Sequence, residues 1–235
     1  MYKSDNLKQT DKETFTYTID KNKDFKILQL TDLHLGFGFI SRKKDKLALN
    51  AVAKIIHKAK PDMIVLTGDS IFPFLPKAGT LNNRKQAYKL MKFMDSFAIP
   101  YTLGNHDCEM GSTCNKEELA QIYKKGKYCI FTEGRKELTG VGNFFINLTD
   151  SDGNALLPLV MLDSNMYGEG GWFYSGFDRI HDDQVDWCMT RLNDLKKCNP
   201  DIKAMAFFHM PPAEFKEAYR KMKLGDKSVI YQHGS

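Results

Sequence analysis

The sequence predicts an α/β fold in which a parallel or mixed sheet is covered by helices, and three observations carry that expectation. The first is a set of short apolar runs at residues 25–30, Met63–Leu66 and from Pro100 to Leu103, which have the length of buried strands. The second is helical spacing between them. Leu49, Val52, Ala53, Ile56 and Ala59 recur on one face until Pro61 closes the helix, and a second helix over residues 84–97 turns Leu90, Met91 and Met94 to one side. The third is the resulting β-α-β-α-β order, which favours neighbouring strands running in the same direction.

The remaining elements follow from the same patterns. Residues 14–19 alternate polar and apolar, as a half-buried strand does. Residues 144–148 and 156–162, joined by Asp150-Ser151-Asp152-Gly153-Asn154, predict a hairpin. A helix over 183–197 is expected to face inward with Val185, Cys188, Met189, Leu192 and Leu195, and residues 202–208 read as a further buried strand. No repeat, low-complexity tract or linker divides the chain, so residues 1–235 are expected to form a single domain.

Composition narrows the function classes. With 42% hydrophobic and 27% charged residues, the chain has the balance of a soluble globular protein. A net charge of +5 suits a phosphorylated ligand, but the basic residues scatter in short runs such as Arg42-Lys43-Lys44 and Lys124-Lys125. A nucleic-acid surface would concentrate them in a stripe, so no nucleic-acid partner is expected. Five cysteines form no CxxC pair, and an odd number cannot all pair internally. Residues 1–24 are polar, and no apolar run approaches the roughly 18 residues of a membrane span. A reducing, cytoplasmic setting without membrane attachment is the expectation.

The chemistry-bearing residues fall at strand ends. Leu30 leads to Asp32 and His34, Leu66 to Gly68-Asp69, Leu103 to Gly104-Asn105-His106-Asp107, and Phe208 to His209. Taken singly, each has an ordinary explanation. Gly68-Asp69 would serve as a turn with a helix cap, Asn105 and Asp107 as turn formers, and His209 as a buried histidine ahead of Met210-Pro211-Pro212. Taken together they converge, because the carboxyl ends of strands in an open α/β sheet border the ligand crevice. Oxygen donors mixed with imidazoles suit Zn, Mn or Fe.

This ordered series resembles the motifs of the calcineurin-like metallophosphoesterase superfamily. The flanking Leu30-Thr31-Asp32-Leu33-His34, Val65-Leu66-Thr67-Gly68-Asp69 and Phe207-Phe208-His209-Met210-Pro211 match as well. Gly140-Val141-Gly142-Asn143-Phe144, Leu162-Asp163-Ser164 and Asp183-Gln184-Val185-Asp186-Trp187 resemble the branch related to purple acid phosphatases. The resemblance implies a four-layer α-β-β-α sandwich of two mixed sheets flanked by helices. It also implies two divalent ions (Mn, Fe or Zn), with Asp32 and His34 on the first, Asp69 bridging, and Asn105 and His209 on the second. His106 would sit beside the substrate phosphate, oriented by Asp107, and a hydroxide between the ions would attack phosphorus. The implied substrate is a small phosphate ester or a phosphoprotein. Where purple acid phosphatases place an iron-binding tyrosine, this chain has Phe72, which offers no oxygen.

One implied element is absent from the sequence. The family carries a later Gly-His-x-His motif, whereas the only histidine after His209 is His233, in Gln232-His233-Gly234-Ser235. The expectation is therefore a chain that lacks the last strands of the sandwich and one imidazole per ion. The alternative to an enzyme is a catalytically weak or inactive metal-binding scaffold of the same fold.

Overall fold

A computed structural model describes residues 5–103, 107–108, 111–167, 176–212 and 214–230. Its strands are β1 (Leu7–Asp11), β2 (Thr14–Thr18), β3 (Ile27–Leu30), β4 (Met63–Leu66), β5 (Tyr101–Leu103), β6 (Phe144–Thr149), β7 (Ala155–Met161) and β8 (Met205–Phe207). Its helices are α1 (Arg42–Ala59), α2 (Leu75–Ala78), α3 (Asn83–Asp95), α4 (Lys116–Tyr123), α5 (Asp182–Cys198) and α6 (Glu214–Lys223). They build two sheets, a parallel one in the order β3-β4-β5 and a mixed one in the order β1-β2-β6-β7-β8. Within the mixed sheet, β1/β2 and β6/β7 are antiparallel, while β2/β6 and β7/β8 are parallel.

The period-two alternation of β6 and β7 sorts the core into layers. Phe144, Ile146, Leu148, Leu159 and Met161 join one cluster with Met63, Ile64 and Leu66 of β4 and with Val52, Ile56, Leu90 and Met94 from α1 and α3. The intervening Phe145 and Val160 face the opposite way and pack with Trp187 of α5. Central β4 is buried along its whole length because it is covered on both faces, as a parallel strand must be.

Two expectations are corrected. On α5 the inward residues are Gln184 and Trp187, with Cys188 and Leu192 packed alongside, whereas Val185 and Met189 are each 46% exposed. The helix is turned because the Gln184 amide is held by polar groups underneath it, described below. Of the run over 202–208, only Met205–Phe207 is strand, and Met205 is 45% exposed because β8 is the last described strand of its sheet. The strand β1 and helices α2, α4 and α6 were not expected from the sequence.

Candidate metal centre

The three parallel strands end on one edge, and the loops leaving β3 and β4 are zipped together beyond it. The amides of Asp32, His34 and Leu35 donate to the carbonyls of Gly68 (3.2 Å), Asp69 (2.8 Å) and Ser70 (3.1 Å). This ladder keeps the two loops in register after the strands have ended. Three residues in them, Asp32 (φ 57°), His34 (φ 46°) and Asp69 (φ 49°), hold left-handed backbone without being glycine. Each such residue costs roughly 1–3 kcal/mol, and strain of this kind persists where the surroundings over-determine a functional geometry. The loop after His34 is fixed in turn by buried Asp45, which accepts from the amides of Gly36 (3.0 Å) and Phe37 (2.8 Å) and from Ser41 Oγ (2.7 Å).

The side chains converge. One donor atom each from Asp32, Asp69 and His209 lies within 4.8 Å of the others. His34 Nε2 stands 3.4 Å from Asp32 Oδ1 and 3.7 Å from Asp69 Oδ2, and His209 Nε2 stands 3.5 Å from the same Asp69 oxygen. Asp69 is therefore central, with both imidazoles near one of its carboxylate oxygens. Asp32 and His34 are half open to solvent, so the cluster is accessible. Burial disfavours the His209 imidazolium, but Asp69, Asp32 and Asp107 outweigh it and raise its pKa above the ordinary value. That balance identifies an electronegative site, and carboxylates with imidazoles are donors suited to Mn, Fe or Zn.

His209 reaches this place through two contacts. Its ring lies on Gly68, where an added Cβ would come within 2.8 Å of the imidazole Cγ, and Gly68 itself has φ 144°. The glycine is therefore required both for its backbone angle and for the close approach of the ring. Behind the ring, Ser164 Oγ accepts from the amides of His209 (3.3 Å) and Met210 (2.8 Å). Thr31 Oγ1 donates to Asp32 Oδ2 (2.7 Å) and lies 3.5 Å from His209 Nδ1. Phe72 sets its edge against the His34 ring at 5.1 Å between centroids.

The segments resembling the purple acid phosphatase branch meet in one buried network below Ser164. Asn143 Oδ1 accepts from the Asp163 amide (3.0 Å) and from Gln184 Nε2 (2.7 Å), which also donates to the Asp163 carbonyl (2.7 Å). The Asp163 carboxylate receives the Val141 and Asn165 amides (2.8 Å each) and pairs with Lys116 at 2.8 Å. Ser164 and Thr31 fall in stretches that carry the family resemblance, but the sequence assigns neither a role, since a single hydroxyl leaves no periodic signal.

Asp107 is 2% exposed and lies behind the Asp69 loop. Burial raises its pKa to about 6 against the stabilising donors Ile71, Tyr123 and Ser70. Asn105, His106 and His233 lie outside the described residues.

Residues 25–231 match the calcineurin-like phosphoesterase family. The chain belongs to that family. Among similar proteins, Phosphatase DCR2 of Saccharomyces cerevisiae is 28% identical over 88% of this chain and 38% of its own length. "Probable inactive purple acid phosphatase 28" of Arabidopsis thaliana is 26% identical over 83% of the chain and 55% of its own length. "Probable inactive purple acid phosphatase 29" of the same plant is 30% identical over 83% and 56%. The chain thus spans between 38% and 56% of the length of these relatives. As a member of the calcineurin-like phosphoesterases it has the fold of a metal-dependent phosphoester hydrolase. No helix among the described residues is long and apolar enough to cross a membrane.

Proposed function

We propose that this chain is the phosphoesterase domain of a phosphatase that hydrolyses phosphate esters with two divalent ions, acting on a small phosphorylated compound or a phosphoprotein. The observation that carries the proposal is the convergence of Asp32, His34, Asp69 and His209 on one accessible edge, three of them in left-handed backbone. Asp69, which has both imidazoles near one carboxylate oxygen, would serve both ions. Asp32 and His34 would hold the first and His209 the second, with Asn105 as the further ligand that the family resemblance implies. Bound divalent ions supply positive charge and lower the pKa of water toward about 7. Thr31 orients the Asp32 carboxylate, and Ser164 fixes the backbone of His209. His106 would donate to the phosphate or to the leaving oxygen, worth roughly 10²–10⁴-fold in rate. The relative named as a phosphatase and the scattered basic residues support phosphatase over nuclease chemistry.

A second reading, a metal-binding scaffold with little turnover, is favoured by the words "probable inactive" in the names of two relatives. One experiment separates them. Elemental analysis after loading with Mn²⁺ or Zn²⁺ is combined with hydrolysis of p-nitrophenyl phosphate by the wild type and Asp69→Asn. The enzyme reading expects two ions and turnover in the wild type, with both lost in Asp69→Asn. One ion or none, with no turnover, supports the scaffold reading for these 235 residues.

A further inference from the structure

Tyr123 ends helix α4 and is 2% exposed, in a segment that none of the strand-end motifs includes. A capping box at the other end of the helix fixes where it starts. Asn115 Oδ1 accepts from the Glu118 amide (2.8 Å) and Glu118 Oε2 accepts from the Asn115 amide (3.1 Å). The Tyr123 ring is fixed by an edge contact with Phe131 at 5.8 Å between centroids. Its hydroxyl donates to Asp107 Oδ2 at 2.8 Å. The other oxygen of that carboxylate accepts from the Ser70 amide (2.7 Å) and the Ile71 amide (3.1 Å).

Those two amides follow directly on Asp69, the residue with φ 49° at the centre of the donor cluster. The carbonyls of Asp69 and Ser70 in turn receive the amides of His34 and Leu35. A single carboxylate therefore bears on both ligand-bearing loops, and the Tyr123 hydroxyl binds its only oxygen not engaged by the Asp69 loop. A carboxylate held at one oxygen alone is free to rotate. Donors at both oxygens fix the plane from which it grips the backbone.

We infer that Tyr123 is a positioning residue for the metal centre, acting through Asp107 to hold Asp69 in its left-handed conformation. It touches neither ion nor substrate. Its effect is to keep the central carboxylate aimed before any ion arrives. The inference rests on the metallophosphoesterase reading for its consequence but not for its geometry.

The test is Tyr123→Phe in the 235-residue chain, which keeps the ring and removes one oxygen. Tyr101→Phe is the control, because it removes the same atom from another fully buried tyrosine, on β5. Amide hydrogen exchange without metal should accelerate at Ser70 and Ile71 by about tenfold, the ratio one net hydrogen bond supports. Amides in β6 and β7 should keep their wild-type rates, and Tyr101→Phe should leave Ser70 and Ile71 unchanged. Mn²⁺ should bind Tyr123→Phe more weakly, by about tenfold or less, because Tyr123 acts one step further out, through Asp107. That is the low end of the roughly 10–100-fold effect of a direct partner of a ligand. At saturating Mn²⁺, kcat for p-nitrophenyl phosphate should fall while KM holds. Unchanged exchange at Ser70 and Ile71, or equal acceleration throughout the core, overturns the inference. If the wild type binds no Mn²⁺ and hydrolyses no ester, the functional proposal fails, and the exchange comparison still decides whether Tyr123 holds the Asp69 backbone.

Discussion

Replacing Gln184 by Met tests whether the buried amide, not apolar packing, fixes α5 on the sheet. The side chain is fully buried and has four partners. Two of them have alternatives, since Asn143 Oδ1 keeps the Asp163 amide at 3.0 Å and Asn165 Nδ2 keeps the Arg179 carbonyl at 2.9 Å. The His181 amide loses its 2.9 Å acceptor, and the Asp163 carbonyl is left with a 3.5 Å contact from Asn165. Each orphaned buried group costs about 1–3 kcal/mol, so Gln184→Met should lose about 2–4 kcal/mol after some relaxation. With a urea m-value of about 1–3 kcal/mol/M, the midpoint should fall by roughly 1–2 M. Gln184→Glu sharpens the comparison, because it keeps an acceptor for His181 but presents a second acceptor to Asn143 Oδ1 and the Asp163 carbonyl. It should be no better than Met. A loss below about 1 kcal/mol for Gln184→Met, with m unchanged, would show that the apolar face around Trp187 sets the helix rotation.

Other perturbations have equally definite outcomes. Gly68→Ala should strip metal from the protein in elemental analysis, because its Cβ would lie 2.8 Å from the His209 ring and φ 144° suits only glycine. Ser164→Ala should weaken Mn²⁺ binding by about 10–100-fold in a calorimetric titration, while urea stability falls by only about 1–2 kcal/mol. His106→Ala should lower turnover and leave ion content intact, so loss of an ion from this variant would move His106 into the ligand set. Asp150 supplies a pH signature. Bonds from the Asn154 side chain and amide, Lys21 and the Asp152 amide hold its carboxyl at about 2, below the ordinary value. A depressed folded-state pKa gives stability that is present above about pH 4 and lost as pH falls toward 2. The stability gap between wild type and Asp150→Asn, followed by urea unfolding, should therefore be constant near neutrality and close between those limits.

Much of this was legible in the sequence because it depended on periodicity or on motif order. The run Met63–Leu66 is apolar throughout because β4 is covered on both faces, and the ligands after β3, β4 and β8 stand where those strands stop. The rotation of α5 was misread because Val185 and Met189 are apolar at helical spacing, and a buried glutamine looks like a surface residue in a hydropathy pattern. β1 was passed over because all but the first of its residues are exposed, so it carries no alternation. Helix α4 spans only eight residues, too few for a clear amphipathic period, although its Asn115-to-Glu118 cap could have marked its start. Tyr123, Thr31 and Ser164 act through one hydroxyl each, which only three-dimensional proximity reveals.

The hairpin of β1 and β2 lies before residue 25, where the family match begins, yet β2 sits between β1 and β6 in the middle of the mixed sheet. Phe15 is fully buried against Phe144, Glu13 pairs with Arg135, and Asp11 pairs with Arg191 of α5 at 2.6 Å. Anyone trimming the protein to its recognisable homology would remove a strand from the interior of a sheet. The amides along β6 would face water, and the space left by Phe15 would open the layer between the sheets. The domain on this side therefore reaches at least as far as Leu7, about twenty residues before the family match begins.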